Sequence, residues 1–425
     1  MRRMVARRQR SGGSRRGRRP PAVVIGLDSA TGLQVARLLT DRGVTVVGLA
    51  TRASHWACRT RLVCRVVEIP ASDDGLIEVL CDATRVEPGS VLIPCSDQSV
   101  LAILAGADRL RPIHRFSDPS STSVESLLDK ARFAEVAEAA GVRTPRTVMV
   151  DGGIDWEQSH ARLSDLRPPW VVKPAVKDDR WLTGAPNKAL RLDGPDRYES
   201  VRQALEWADP LLVQEWIDGP DSALVTCNCY IDPTGHPEAS VVSAKLRQWP
   251  PDVGTASAAV TVVDDAVVEN TERLLTATGF HGLGYVEYKR IGDELVAIEA
   301  NVGRPTGRSA MAEAAGVELH YALYADLAGI EREPLGSARP GVVWVHLRRD
   351  LQAALRNWRR GDESPRSWVR SLRGPRVEAV ARWSDPAPFL LDFWSTATKK
   401  VPGGNVSRIV STRGRQRTSR SENSA

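Results

Sequence analysis

The chain is short of the features that mark several large function classes. Its 425 residues include six cysteines, at 58, 64, 81, 95, 227 and 229, and none forms a CxxC pair. A disulfide framework or zinc site is therefore not expected, and reduced thiols account for the cysteines. No apolar run approaches the length that spans a bilayer, so no transmembrane helix is expected. There is no HExxH, no nucleophile elbow and no GxxxxGK[ST] loop. Gly26-Leu-Asp-Ser-Ala-Thr-Gly32 is a strand-to-helix turn without the GxGxxG spacing, so bound NAD is not expected. Internal repeats are absent as well.

Charge is present in both signs but unevenly placed. The formal net charge is +6. Residues 1–20 hold nine Arg and no acid, and residues 399–425 hold seven Lys or Arg against Glu422, hence +6. The remainder, 6 − 9 − 6 = −9, belongs to residues 21–398. An Arg-rich end can bind nucleic acid or direct targeting, but it can also be a plain disordered extension, which its lack of hydrophobic periodicity favours.

Ala22–Gly26, Val44–Gly48, Val66–Ile69 and Val91–Pro94 read as short buried strands. Helical patterns at Leu33–Asp41 and Leu76–Thr84 alternate with them, which predicts a parallel, Rossmann-like sheet. At the strand ends stand Asp28 and Pro94-Cys-Ser-Asp97; Ser96-Asp97 reads as a substrate contact or as a cap on helix Gln98–Gly106. One helix is expected over Val124–Ala140, another near Tyr198–Ala208 and another near Ala266–Thr278, among strands that fill residues 211–300. The C-terminal piece is expected to be mostly helical, with Trp344, Trp358, Trp368, Trp383 and Trp394 packed against the core rather than stacking on bases.

The sharpest local signal is Gly284-Tyr-Val-Glu287 through Gly292-Asp293 to Glu299-Ala-Asn301, a β-hairpin. A three-residue loop, 292–294, sets Ile291 against Leu295 and Glu287 against Glu299, with Asn301 on the same face. Facing carboxylates repel unless a cation lies between them. Two carboxylates and an amide oxygen suit Mg²⁺; otherwise the charges simply face water, and a two-residue loop breaks the pairing. Lys245 and Arg247, two apart on one strand, are expected to share a face toward phosphate or substrate. Lys173 ends the apolar strand Trp170-Val-Val, where a surface role is hard to sustain.

In order and spacing, Leu128-Asp-Lys130, Val171-Val-Lys173-Pro, Val213-Gln-Glu215-Trp-Ile217-Asp-Gly219, Val286-Glu287-Tyr and Ile298-Glu299-Ala-Asn301 resemble the ATP-grasp superfamily. The likeness is to its carbamoyl-phosphate-synthase-like and predicted carboligase branch, and Asn187-Lys188, Lys245-Leu-Arg247 and Ser384-Asp385-Pro-Ala-Pro388 strengthen it. It covers roughly residues 21–395.

The resemblance implies an α/β and α+β multidomain fold. A Rossmann-like pre-ATP-grasp domain (21–117) is followed by a two-lobed ATP-grasp domain (118–335) and a helical C-terminal extension (336–395). The lid lobe would span about 145–212 and the core lobe about 213–335, with disordered tails over 1–20 and 396–425. It further implies ATP and Mg²⁺, with Mn²⁺ as a substitute. Lys130, Lys173 and Lys188 would meet phosphates; Glu215, Trp216 and Ile217 would receive adenine; Asp221 would hold the ribose; and Glu287, Glu299 and Asn301 would bind metal. Arg304, Arg308, Lys245 and Arg247 would serve the substrate and the anionic intermediate. Asp221 reads equally well as a turn residue, and Arg304 departs from the usual spacing because Val302-Gly303 intervene. The lid loop 177–188 departs too, with a single Gly. The expected reaction is carboxylate–amine or carboxylate–thiol ligation in the cytoplasm, on small acids and amines. The alternatives are a nucleotide or nucleic-acid binder without ligase activity, or an ATP-grasp enzyme with another acceptor such as bicarbonate. No membrane partner is expected, and related enzymes are often dimers.

Overall fold

A computed structural model describes residues 19–150, 156–164, 166–174, 189–194, 210–250 and 254–397. The N-terminal strands are β1 (Ala22–Ile25), β2 (Val46–Ala50), β3 (Arg65–Glu68) and β4 (Val91–Pro94), in a parallel sheet of order β3-β2-β1-β4. β1 and β2 are buried along their whole length, as inner strands covered on both faces must be. Helices α1 (Ala30–Asp41), α2 (Asp73–Cys81), α3 (Asp97–Ala105) and α4 (Ala107–Leu110) belong to the same unit. Ser29 caps α1 by accepting from the Gly32 amide. Gly32 has no tolerable replacement, because a Cβ there would stand 2.3 Å from the Gly26 carbonyl oxygen.

The single helix expected over Val124–Ala140 is two, α5 (Ser121–Leu128) and α6 (Lys130–Ala139). Asp129 adopts extended backbone between them and accepts from the Arg132 amide, which makes it a cap rather than a helical residue. A small antiparallel sheet follows, from β5 (Thr147–Val150), β6 (Trp170–Pro174), β7 (Leu190–Leu192) and β8 (Leu211–Glu215) in the order β5-β8-β6-β7, with α7 (Trp156–Leu163) beside it. Its core is Trp170, Val172, Leu190, Leu192, Leu211 and Val213 with Leu163 and Leu166. The helix expected near Tyr198–Ala208 lies outside the described residues.

The largest sheet contains β9 (Leu224–Ile231), β10 (Pro237–Trp249), β11 (Thr255–Val262), β12 (Gly282–Ile291) and β13 (Glu294–Val302). Helix α8 (Asp265–Thr276) buries Val267, Leu274 and Leu275 against Cys227, Cys229, Ile231 and Tyr288 on one face. That burial explains the Cys227/Cys229 spacing: both thiols are free and packed in the core, and burial pushes Cys227 up to about 12. Alternate residues face the other way, and there the strands carry Thr226, Asn228, Tyr285 and Glu287.

Helices α9 (Ala310–Ala314) and α10 (Leu319–Ala328) come next, then β14 (Val343–Val345), α11 (Leu347–Arg360), α12 (Pro365–Ser371), β15 (Arg376–Glu378) and α13 (Ala387–Ala397). The C-terminal piece is therefore not only helical. β14 and β15 extend the large sheet to seven strands, in the order β13-β12-β9-β10-β11-β14-β15. Asp385 is the tie between this piece and the first sheet: Arg37 donates to it through Nη2 at 2.9 Å, Thr60 through Oγ1 at 2.6 Å and the Arg61 amide at 3.1 Å.

Candidate active site

The hairpin turn differs from expectation, yet the facing carboxylates survive. Gly292, with φ +58°, and Asp293 make a two-residue turn, and Ile291 pairs with Glu294 rather than Leu295. A plain ladder from there would set Glu287 against Ile298. A β-bulge between Tyr288 and Glu287 takes up one residue of β13, so Glu287 pairs with Glu299 and Tyr285 with Asn301. Beyond the hairpin, Glu287 pairs with Thr226, Thr226 with Ser243 and Ser243 with Thr261. One row of polar residues thus crosses five strands.

Above this row the cations gather. Lys245 Nζ lies 3.5 Å from Glu287 Oε2, and Arg308 Nη2 is 4.0 Å from Glu287 Oε1. Lys245 and Arg308 are buried. Arg308 Nε and Nη2, Asn228 Oδ1 and Ser243 Oγ are buried without a hydrogen-bond partner. Buried polar atoms are seldom left so, and their concentration along one sheet face suits a polar ligand. Lys173 Nζ donates to Gln214 Oε1 at 3.0 Å, and Gln214 in turn donates to Thr147. Lys130 Nζ donates to the Pro174 carbonyl at 3.0 Å. Burial, together with the charge of Lys130, lowers Lys173 to about 8, while Glu299 works against the fall. Lys130, Lys173 and Glu299 are therefore close enough to feel one another.

Asn301 is held on both sides. Its Nδ2 donates to Glu299 at 3.4 Å and its Oδ1 accepts from Arg304. Arg304 also pairs with Asp97 and donates to the Tyr285 hydroxyl at 2.9 Å. Its guanidinium is a strut between α3 and the hairpin rather than a group facing a substrate. Gly303, with φ +74°, lets the chain turn against Val100 beside it. Asp97 thus serves Arg304, and Ser96 is the cap, in a capping box with Ser99. Asp28 accepts from the Thr51 hydroxyl and the Arg52 amide.

Arg247 does not share a face with Lys245. A second bulge shifts the register between them, so Lys245 pairs with Ala259 and Arg247 with Ala258, on opposite faces. Arg247 instead makes two bonds to buried Asp350, 2.8 and 2.9 Å, and reaches Ser371 and Glu363. Asp221 accepts from the backbone amide and the side chain of Gln248, at 3.2 and 2.7 Å. Glu215 accepts from the Arg146 amide at 3.3 Å. Trp216 has the Arg191 guanidinium over its ring, 4.6 Å from the centroid, and Ile217 is buried next to it. Lys188 lies outside the described residues. Of the C-terminal tryptophans, Trp344 is buried and Trp358 and Trp368 meet edge to face, whereas Trp383 and Trp394 are exposed.

Sequence reasoning passed over Tyr285, Gln214, Asn228 and Ser243. Tyr285 was within reach, two residues before Glu287 on an alternating strand. The other three show only once strand pairing is known.

Among the described residues no group of three or more His, Cys, Asp or Glu is placed to hold a metal. Glu287, Glu299 and Asn301 bring two carboxylates and one amide oxygen.

No protein-family model matches the chain, and no curated protein matches it in sequence. Solved structures do match. N5-carboxyaminoimidazole ribonucleotide synthetase in its ADP complex is 14% identical with a TM-score of 0.61, over 80% of this chain and 85% of that one. The L-amino acid ligase from Bacillus licheniformis is 15% identical with a TM-score of 0.54, over 75% and 76%. The biotin carboxylase domain dimer of Hydrogenobacter thermophilus 2-oxoglutarate carboxylase, in complex with MgADP, ADP and bicarbonate, is 14% identical with a TM-score of 0.59, over 77% and 74%.

Proposed function

The chain has the ATP-grasp fold, and from that premise we propose that it is an ATP-dependent ligase. It would join a carboxylate to an amine, or to a thiol, through an acyl phosphate. The observation that carries this reading is the direct pairing of Glu287 with Glu299, with Lys245 and Arg308 gathered against Glu287. Neighbours of the same fold crystallised with ADP and MgADP supply the nucleotide and the metal.

The donor set fits Mg²⁺: Glu287, Glu299 and Asn301 would hold it, and when bound it would offset charge on the phosphates. Asn301 Oδ1 already accepts from Arg304, but a carbonyl oxygen has two lone pairs and can serve both. Lys130 and Lys173 would meet phosphate oxygens, with Lys188 a further candidate from the lid. Glu215, Trp216 and Ile217 line the hinge proposed for adenine. Asp221 would reach a ribose only by sharing the oxygens that Gln248 already occupies.

Arg308 fits the carboxylate substrate best, since its Nε and Nη2 are buried without a hydrogen-bond partner among the described residues and only Glu287 stands near, at 4.0 Å. A carboxylate oxygen would attack the γ-phosphorus as the bond to ADP breaks. The amine nitrogen would then attack the acyl carbon, giving up a proton as phosphate departs. Lys245, held against Glu287, would balance charge at the transferring group. Neither Arg247 nor Arg304 is needed in these steps, because their guanidinium groups are spent on Asp350 and Asp97.

Hydroxylamine tests the reading. With ATP, Mg²⁺ and a panel of amino acids and other small acids, an acyl phosphate yields the hydroxamate of the true substrate along with ADP. ADP release that never yields a hydroxamate with any acid would favour a bicarbonate or other non-carboxylate acceptor. No ADP release under any mixture would favour a nucleotide-binding protein.

A further inference from the structure

Across the folded body arginines commonly find an acid: Arg111 pairs with Asp118, Arg191 with Asp193, Arg332 with Glu238 and Arg382 with Asp41. The pair of helices α11 and α12, with the start of β15, is different. Arg359, Arg360, Arg366, Arg370, Arg373 and Arg376 are all exposed, and none of these guanidinium groups has a hydrogen-bond or ion-pair partner among the described residues. Two acids lie in the same stretch, 359–376, and buried Arg247 takes one of them, Glu363, at 3.2 Å. The stretch therefore carries 6 − 2 = +4, on a body whose remaining residues within 21–398 sum to −9 − 4 = −13. Helix dipoles explain part of this, since Arg359 and Arg360 lie in the last turn of α11 and Arg370 in that of α12. Arg366, Arg373 and Arg376 have no such reason, and Arg376 opens β15, the edge strand of the large sheet.

Aromatic surface accompanies the charge. Trp358, next to Arg359, and Trp368, between Arg366 and Arg370, meet edge to face with ring centroids 5.8 Å apart. Trp368 Nε1 donates to buried Asp350 at 2.8 Å, and Trp358 Nε1 is itself buried. The N–H edges of both indoles thus point inward, while each ring stays half-exposed.

We propose that this strip binds single-stranded nucleic acid, its guanidinium groups meeting backbone phosphates and the outer surface of the tryptophan pair receiving a base. The proposal goes beyond the ligase reading and does not rest on it. Arg247, held under the two helices by Asp350 and Ser371, points to the opposite sheet face from Lys245, so the strip and the carboxylate pair lie on different sides of the sheet. A protein partner is disfavoured because an interface needs an apolar centre, and only Leu355 and Val369, 46 and 50% exposed, stand among these arginines, one on each helix. A duplex is disfavoured because its base faces are stacked inside, out of reach of the indoles. The half-exposed tryptophans depart from the expectation, drawn from the sequence, that they only pack against the core.

Fluorescence anisotropy of a labelled oligothymidylate of about 20 nucleotides, titrated with the full chain, tests this. The terminal segments are basic too, so the informative comparison is between wild type and R366Q/R370Q/R373Q/R376Q, which alters only exposed side chains and should keep the wild-type Tm. On a single strand log K falls with log salt by about 0.7 per phosphate contact. The variant should therefore bind about tenfold more weakly at about 0.1 M salt, with a slope flatter by about 3. Trp358→Leu should weaken single-strand binding about tenfold with the slope unchanged, and leave binding of a duplex of the same length unaltered. Absence of binding, or unchanged affinity and slope in the quadruple variant, would overturn the proposal. So would an equal loss on strand and duplex in Trp358→Leu, or displacement of the strand by polyglutamate at equal charge concentration, which would point to an acidic protein instead.

Discussion

At the scale of single residues the account turns on Lys173, Glu299 and Arg308. Lys173 is held near 8 by burial and by Lys130, below the ordinary lysine value. Below pH 8 its ammonium is charged in the folded chain, at a cost to stability that is relieved as pH rises from about 8 toward the unfolded value near 10.5. A bound phosphate reverses the balance by favouring the charge. ATP binding just above pH 8 should therefore take up a proton, and affinity should fall as pH rises further. Calorimetry in two buffers of different ionisation enthalpy measures that uptake; none would remove Lys173 from the phosphate site. Glu299→Gln should keep the fold and lose at least about a hundredfold in Mg²⁺-dependent turnover, on the scale of a lost transition-state contact. Arg308→Met should raise KM for the acid far more than KM for ATP, which a two-substrate kinetic matrix will separate. Glu287, Glu299 and Asn301 could be picked out beforehand because a hairpin sets two acids and an amide on one face, and Lys173 because a charge that interrupts an apolar strand needs a reason. Arg247 and Arg304 were charged residues in equally suggestive places, and what distinguishes them is an acid far off in sequence, buried Asp350 for one and Asp97 for the other.

At the scale of elements, two bulges decide which residues meet. The one at Ile298 keeps Glu287 against Glu299 despite a shorter turn, while the one between Lys245 and Arg247 sends those side chains to opposite faces. Alternation and turn chemistry made the hairpin and the parallel strands legible. A bulge leaves no comparable mark, because it answers to packing from neighbouring strands. β14 and β15, three residues each, are too short for a periodic pattern, and the break at Asp129 hides inside an otherwise helical stretch. The Arg247–Asp350 pair is a structural prediction: Asp350→Ala would remove both bonds of the carboxylate to a buried guanidinium, leaving it Glu363 and Ser371, and should cost about 3 kcal/mol in urea unfolding. Arg247→Met, which removes the charge and keeps apolar volume, should retain turnover per folded molecule. A turnover loss as deep as that of Glu299→Gln would place Arg247 back in the chemistry.

At the scale of the molecule, Asp385 joins the C-terminal piece to α1, and Arg304 with Asp97 joins the hairpin to α3. Burial alone would raise Asp385, but Thr60, the Arg61 amide and Arg37 outweigh it and hold its carboxyl below the usual range. Its contribution is therefore present above the ordinary carboxylate pKa and is lost as pH falls through the lower folded value. Asp385→Asn should lower stability at neutral pH by on the order of 3 kcal/mol and flatten the acid limb of unfolding followed by fluorescence. The carboxylate pair in the hairpin remains the point on which the function depends. Its most direct test is calorimetric titration of ATP, with and without Mg²⁺, into wild type and E287Q/E299Q. The account predicts Mg²⁺-dependent binding in wild type that the double variant loses while keeping its fold. Binding of equal strength without Mg²⁺, or undiminished in the double variant, would contradict it.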